Sequence, residues 1–433
     1  MSAGAPAGRS GDGEGEGGPI ARRDGALHVE GVDARALAEA HGTPLWVYSR
    51  RAIEDAFGEF GRALAGTDHL VCYAVKANSN LGVLDVLARL GAGFDIVSVG
   101  ELERVLAVGG DPARTVFSGV GKRADEMARA LEAGILCFNV ESASELERLA
   151  EVAAAHGVRA PVSLRVNPDV DARTHPYIST GLKENKFGVP RERALEVYRR
   201  AASLSGISVE GIDCHIGSQL TEIGPYRDAI GRLATLVDEL ADEGIELAHV
   251  DVGGGLGIRY DEERPLDVDA WARAVLEAVG GRPLKILCEP GRYVVGPAGV
   301  LLTRVEYLKR DGARGFAIVD AAMNDLIRPA LYSAWQPIER AVEPAADGAE
   351  RGAWDVVGPV CESADFLGKG RELALAEGDL LAVRAVGAYG AGMSSNYNTR
   401  PRAAELLVDG ETVHVVAERE DIAGILARER RLP

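Results

Sequence analysis

The stretch Val71-Cys72-Tyr73-Ala74-Val75-Lys76-Ala77-Asn78 decides how the rest of the chain is read. An apolar run rich in β-branched and aromatic residues, leading into a helix-starting Asn78-Ser79, predicts a strand buried on both faces, as in a parallel sheet. Lys76 stands at its C-terminal end. A lysine there can simply snorkel to solvent. With its head in a closed site, burial instead lowers the amine pKa and makes it a nucleophile towards carbonyls.

Outward from this strand the chain alternates. Helix-patterned stretches at Arg51 to Ala65, Leu81 to Leu90, Val99 to Val108, Ala124 to Ala133, Ala143 to His156, Arg191 to Ser203, Tyr226 to Glu243 and Val268 to Val279 carry apolar residues at three- and four-residue spacing. Between and after them fall LVCYAV, GFDIV, TVFSG, CFNVE, VSLRVN, VEGIDCHI, AHVDVGG and LKILCEP, eight strand candidates. This order demands parallel strands with right-handed crossovers, and at this length a closed (β/α)8 TIM-like barrel over residues 51–292 fits better than an open sheet. After Arg292 the pattern becomes strand-only: VLLTRVEYL, GFAIVDA, WDVVGPV, LLAVRAVG and ELLVDGETVHVVAE, with Asp409-Gly410 as a hairpin signal. A mostly antiparallel C-terminal β-domain is expected over 293–433, joined by the strand-like segment 25–50. Asp421 to Arg428 suggest a last helix.

Residues 1–24, rich in Gly, Ala and Ser, read as a disordered tail, unlike a signal peptide or a membrane span. The net charge of −18, from 48 basic and 66 acidic residues, argues against nucleic acid or anionic membrane as partner. The expected location is cytoplasmic. Five cysteines without CxxC or CxxH spacing disfavour a disulfide framework, and no metal site is expected. Cys72, Cys137, Cys214 and Cys288 lie in apolar runs and read as small core residues.

Barrel sites collect at the C-terminal ends of strands. Lys76 closes the first, Asp95 the second, Arg165 and Asn167 the fifth, and His215 to Ser218 the sixth. The seventh runs into Gly253-Gly254-Gly255 and the eighth into Glu289-Pro290-Gly291-Arg292. Glycines after a strand let backbone N–H groups turn towards an anion, although ordinary turns need glycine too. Joined to a strand-end lysine and Ser218, the triplet suggests a ligand with both a phosphate and an aldehyde. Pyridoxal 5′-phosphate has both. Glu289 could hold its ring nitrogen protonated, or could pair with Arg292. His215 could stack on the ring, or be a core histidine bonded to a carbonyl.

The motifs YAVKAN, FDIVSVGEL, STGLKENKFG, HIGSQ, DVGGGLGI, EPGR, VDAAMNDLIRPALY, GPVCESADFL and GAYGAGMSSNYNTRP together resemble the diaminopimelate decarboxylase family. That family belongs to the fold-type III pyridoxal-phosphate decarboxylases, with the ornithine and arginine decarboxylases. The resemblance runs from about Leu27 to the last strand. It implies decarboxylation of meso-2,6-diaminoheptanedioate to L-lysine. It implies that Lys76 captures the cofactor aldehyde, that His215 stacks on the ring and that Glu289 pairs with the ring nitrogen. Ser218, Gly255, Gly291 and Arg292 would hold the phosphate, Arg292 also touching substrate. It further implies a homodimer with shared sites, in which one subunit's Cys361 donates a proton and its Glu362 grips the substrate's distal amino group in the partner's site. Arg328 and Tyr332 would hold the distal carboxylate, and Tyr389 would reach phosphate and substrate.

The residues themselves add some support. Cys361 lies on a Gly/Pro-bounded turn outside any apolar run, and Arg328 is an arginine in an apolar stretch, suited to a bidentate carboxylate grip or to a surface ion pair. Tyr332 and Tyr389 could be packing aromatics. The loop Asp171 to Gly188 is expected to be a mobile cover. Ala364, where the family usually has glycine, and Ala391, where it often has a bulky residue, adjoin the site and leave the substrate less defined than the reaction. Rival readings are a decarboxylase of the same fold acting on another basic or carrier-bound amino acid, a non-catalytic pyridoxal-phosphate-binding protein, and a racemase, for which no second base is evident.

Overall fold

The computed structural model describes residues 17–170, 186–311, 314–343 and 348–433. Eight parallel strands, His69–Ala74, Gly93–Ile96, Thr115–Phe117, Cys137–Val140, Ala160–Asn167, Ile207–Asp213, His249–Asp251 and Lys285–Cys288, form a closed barrel. Closure comes from Ile286 to Cys288 pairing with His69 to Val71. Each strand is followed by a helix, but after the last it is only the single turn Arg292–Val295. The place of a full eighth helix is taken by the helix Arg50–Ala63, which precedes the first strand and packs against the helices Leu81–Arg89 and Val268–Val279. Its Phe60 meets Trp271 edge-on at 5.6 Å and Tyr293 at 5.5 Å, sealing the ring from outside.

Period-two alternation sorts the strand residues between two environments. Val71 and Tyr73, Phe94 and Ile96, Phe138 and Val140, Leu164 and Val166, Ile212, Val250 and Ile286 pack outward into the main core under the helices. Their neighbours therefore face the barrel axis. At its floor these are Leu70, Cys72, Val116, Cys137 and Leu287, a separate apolar cluster. One step further along the strands they are Asp95, Ser118, Asn139, Arg165, Asp213, Asp251 and Glu289, all buried and polar. The four cysteines expected in the core are buried there.

The second sheet runs through Phe366–Leu375, Glu350–Val357, Arg314–Val319, Gly299–Asp311, Leu45–Ser49, Ala404–Asp409 and Thr412–Ala417. Its pairings are antiparallel except two: Leu45–Ser49 with Ala404–Asp409, and Arg314–Val319 with Glu350–Val357. The hairpin at Asp409 turns through Gly410 at φ 62°. Leu45–Ser49 lies in this sheet between Gly299–Asp311 and Ala404–Asp409.

Three local expectations are corrected or fall outside the structure. The tail is shorter than residues 1–24, because Ile20–Arg23 forms a strand with Ala26–Val29, and Ile20 packs with Leu27, Val29 and Leu37. Residues 1–16 lie outside the described residues. The helix after Lys76 begins at Leu81, as its apolar spacing predicts, but its start signal is Asn80 rather than Asn78-Ser79. Asn78 uses its side chain to accept from Asn80 N at 3.0 Å, and Asn80 is the cap, accepting from Gly82 N at 2.8 Å. The expected cover, 171–188, lies outside the described residues up to 185.

Candidate active site

Lys76 sits in the turn Val75–Ala77 directly after the first strand, its side chain 34% exposed, with its Nζ on the Oδ2 of fully buried Asp95. Register explains the pairing: Ala74 lies opposite Asp95 on the neighbouring parallel strand. The expected lowering of the amine pKa does not occur. Burial does pull it down, but Asp95 above all, with Glu289 and Tyr389 behind it, outweighs it and holds the ammonium above its ordinary value.

His215 follows the sixth strand. Its Nδ1 accepts from Gly254 N at 3.2 Å, so the other ring nitrogen carries the proton. Burial, with Arg165 and Lys76 nearby, drives its pKa far below the usual imidazole range, and the ring is neutral. The glycines after strand seven are steric requirements. A Cβ on Gly254 would lie 2.1 Å from Glu289 O, and one on Gly255, at φ +98°, 2.4 Å from Gly217 O.

Glu289 is buried, its Oε1 accepting from Asn139 Nδ2 at 3.2 Å and Ser118 Oγ at 3.4 Å. Carboxylate oxygens of Glu289, Asp213 and Asp251 all fall within 4.8 Å of one another. At that separation two full charges repel by about 3.5 kcal/mol at an effective dielectric of about 20. Burial raises all three carboxyl pKa values; repulsion from Asp251 adds to it at Glu289 and Asp213, and repulsion from Asp95 at Asp251.

Arg292, three residues on, donates to Ser218 Oγ at 2.9 Å and to Tyr260 OH at 2.6 Å, and its guanidinium lies 4.9 Å from the Tyr389 ring centroid. Tyr389 is fixed at φ 56° and donates its N–H to Ala77 O at 2.7 Å, one residue past Lys76. Arg328, in the helix Arg328–Tyr332 of the β-domain, lies 5.8 Å from the same Tyr389 ring and 5.4 Å from Tyr332. It is 7% exposed and forms no ion pair among the described residues. Burial and then Arg292 lower its pKa.

Lys76, His215, Glu289, Ser218, Gly255, Gly291, Arg292, Arg328, Tyr332 and Tyr389 thus gather at one mouth. Cys361 and Glu362 do not join them. Both are exposed on a turn of the β-domain, where Glu362 accepts from Tyr397 OH at 2.5 Å.

Residues 50–296 match the family model for the pyridoxal-dependent decarboxylase, pyridoxal binding domain. The chain is 64% identical over 411 residues to a diaminopimelate decarboxylase of Pseudomonas aeruginosa, spanning 95% of this chain and 98% of that one. It is 57% identical over 413 residues to one of Vibrio cholerae, with 95% and 98% covered. The chain belongs to the diaminopimelate decarboxylase family. Its fold is similar to the Helicobacter pylori diaminopimelate decarboxylase complexed with L-lysine, with a TM-score of 0.88 and 42% identity over 92% of this chain and 99% of that one. It is also similar to that of M. jannaschii in co-complex with L-lysine, with a TM-score of 0.90 and 37% identity over 95% and 97%.

The residues present fit a pyridoxal cofactor. Asp95 Oδ1, Arg292 Nε and Arg328 Nε are buried without a hydrogen-bond partner among the described residues, so the mouth has unmatched polar atoms of both signs. Sequence reasoning noted Asp95 but gave it no role. It missed Tyr260, Ser118, Asn139, Asp213 and Asp251. The strand positions among these carry an alternation signal that places them on the barrel axis; Tyr260, in a loop, carries none.

Proposed function

We propose that this chain releases CO2 from meso-2,6-diaminoheptanedioate to leave L-lysine, with pyridoxal 5′-phosphate bound at Lys76. One observation carries the choice of substrate: Arg328 is a buried guanidinium with no carboxylate partner among the described residues, close to Arg292 at the same mouth. A substrate whose far end is an amine alone leaves that charge uncompensated. A second carboxylate answers it, in the planar fork that arginine suits.

When bound, the cofactor supplies an aldehyde for the substrate amine and a protonated ring that accepts the electron pair left by CO2. Lys76 holds its proton against Asp95 and presents the amine at the strand end. Glu289 would face the ring nitrogen, and neutral His215 would pack on the ring without adding charge. Ser218, Gly255, Gly291 and Arg292 would hold the phosphate, and Tyr389 and Tyr332 would flank the substrate beside Arg328.

Cys361 and Glu362 support the reading of a homodimer. They are exposed on one chain while the rest of the site lies at the barrel mouth, so a second subunit would complete each site. The Cys361 Sγ–H would then return a proton to the α-carbon, and Glu362 would take the distal amino group. The enzyme would work in the cytoplasm. CO2 release from meso-diaminopimelate, L-ornithine and L-lysine, with and without added cofactor, tests the proposal; faster release from ornithine or lysine would overturn the substrate.

A further inference from the structure

The acids on the barrel axis exceed the cations available to them. Lys76 is taken by Asp95, and Arg165 by Glu141 at 2.9 Å, lying only 4.0 Å from Asp213 Oδ2. Asp213, Asp251 and Glu289 remain, with oxygens of all three within 4.8 Å. Asp251 Oδ1 accepts from Gly253 N at 2.9 Å, but its Oδ2, in a side chain with no exposure, has no partner among the described residues, and neither has Asp213 Oδ1. Glu289 meanwhile receives neutral donors, Asn139 and Ser118, among the described residues. Carboxyl oxygens that face one another in a dry interior are satisfied by a proton held between them.

We propose that Asp251 is a positioning residue that carries a proton at neutral pH and donates it to the Glu289 carboxylate, so that Glu289 offers one oriented negative charge to the cofactor's ring nitrogen. This rests on the reading of Glu289 as the ring-nitrogen partner. The groups facing Asp251 are Asp95 from the second strand, Asp213 from the sixth, Glu289 from the eighth, Lys76 from the turn after the first and the Cys72, Cys137, Cys214 and Cys288 thiols; Arg165 faces Asp213. Burial first and then Asp95 favour the protonated form, and Gly253 N, the Glu289 contact and Lys76 oppose it; the orphan Asp251 Oδ2 and the two neutral donors on Glu289 place the proton on Asp251. Asp251 also shapes the glycine triplet through Gly253, so its two oxygens do separate work.

Infrared spectra of the full-length apoenzyme at neutral pH should show a protonated-carboxyl C=O band that fades as the pH rises and is weaker in Asp251→Asn. That variant keeps an acceptor for Gly253 N and a permanent donor to Glu289, so its affinity for pyridoxal phosphate should stay near wild type. Asp251→Ala should weaken it about tenfold or more, the loss expected for a hydrogen bond to a charged group. A spectrum unchanged by Asp251→Asn, or cofactor loss in that variant as large as in Asp251→Ala, overturns the inference. Glu289→Gln tests the underlying reading separately: wild-type cofactor binding and turnover there would remove Glu289 as ring partner. Loss of turnover in Glu289→Gln, combined with an ionised Asp251, would overturn only the shared proton.

Discussion

Replacing Arg328 with methionine keeps most of the aliphatic stem and removes the guanidinium, which lies 5.4 Å from the Tyr332 ring and 5.8 Å from the Tyr389 ring. In the proposed complex this guanidinium forms a buried, charge-assisted pair with the distal carboxylate, and truncating such a pair costs about 2–5 kcal/mol. At about 1.4 kcal/mol per decade, kcat/KM for diaminopimelate should fall by about 30- to 5,000-fold. L-Ornithine has no second carboxylate and meets Arg328 only as an uncompensated buried cation. Its kcat/KM should hold or rise, so the preference between the two substrates should collapse. Arg328→Lys should recover little of it, because a point charge does not reproduce the planar fork. The assay is CO2 release from both substrates at saturating cofactor, with the cofactor's absorbance checked in each variant. Equal losses on both substrates would refute the reasoning and make Arg328 a residue of the fold or of the cofactor site.

Asp95→Asn removes the largest influence that raises the Lys76 pKa and leaves only the weaker pull of Glu289 and Tyr389 against burial, so the pH profile for capture of pyridoxal phosphate by the apoenzyme should move to lower pH; Lys76→Ala should abolish the lysine-bound absorbance altogether, and an unmoved profile in Asp95→Asn would contradict the pairing. His249, 5% exposed at the barrel floor, has its pKa pushed down to about 4 by burial and Lys285. The unfolded chain, with a pKa of about 6.5, therefore binds a proton first, and stability present above about pH 6.5 is lost as the pH falls, by about 2 kcal/mol at about pH 5; urea unfolding of His249→Gln should show a flatter acid limb. Trp271, fully buried and edge-on to Phe60 at 5.6 Å and Tyr226 at 6.4 Å, should cost about 3–5 kcal/mol when cut to alanine. Trp271→Phe should cost less, since the indole N–H is buried without a partner among the described residues and denaturant melts can separate the two.

The barrel was legible because helix and strand periods alternate with short punctuation, and parallel pairing with right-handed crossovers leaves few ways to arrange such a chain. The site was legible where chemistry coincides with a strand end, as at Lys76, His215 and Glu289. What was not legible depends on register and on loops. Lys76 was expected to carry a lowered pKa because an apolar strand suggests desolvation alone. Only the pairing of Ala74 with Asp95 reveals a carboxylate on the adjacent strand that reverses the sign. Tyr260, which holds Arg292 from an irregular loop, has no periodic neighbour to betray it. The Glu362 to Tyr397 contact joins residues 35 positions apart across two turns, a distance that no local pattern spans.

The same alternation explains how one cavity can bind a ligand charged in opposite senses at its two ends. A strand that sends Phe94 and Ile96 to the helices must send Asp95 to the axis, and those bearing Asn139, Asp213, Asp251 and Glu289 do likewise, so acidic and neutral polar groups accumulate inside the ring. Arginines arrive by another route. Arg292 comes from the turn after the eighth strand, and Arg328 from the β-domain, so their guanidiniums meet around Tyr389, beyond the strand ends. The two arginines lie beyond the strand ends while the acids lie on the axis, and Arg292 Nε, Arg328 Nε and Asp251 Oδ2 have no hydrogen-bond partner among the described residues. A ligand with a protonated ring nitrogen at one end and phosphate and carboxylate at the other relieves both sides at once. A neutral molecule relieves neither and a singly charged one only one side, so affinity at this mouth should follow the ligand's charge separation more closely than its size.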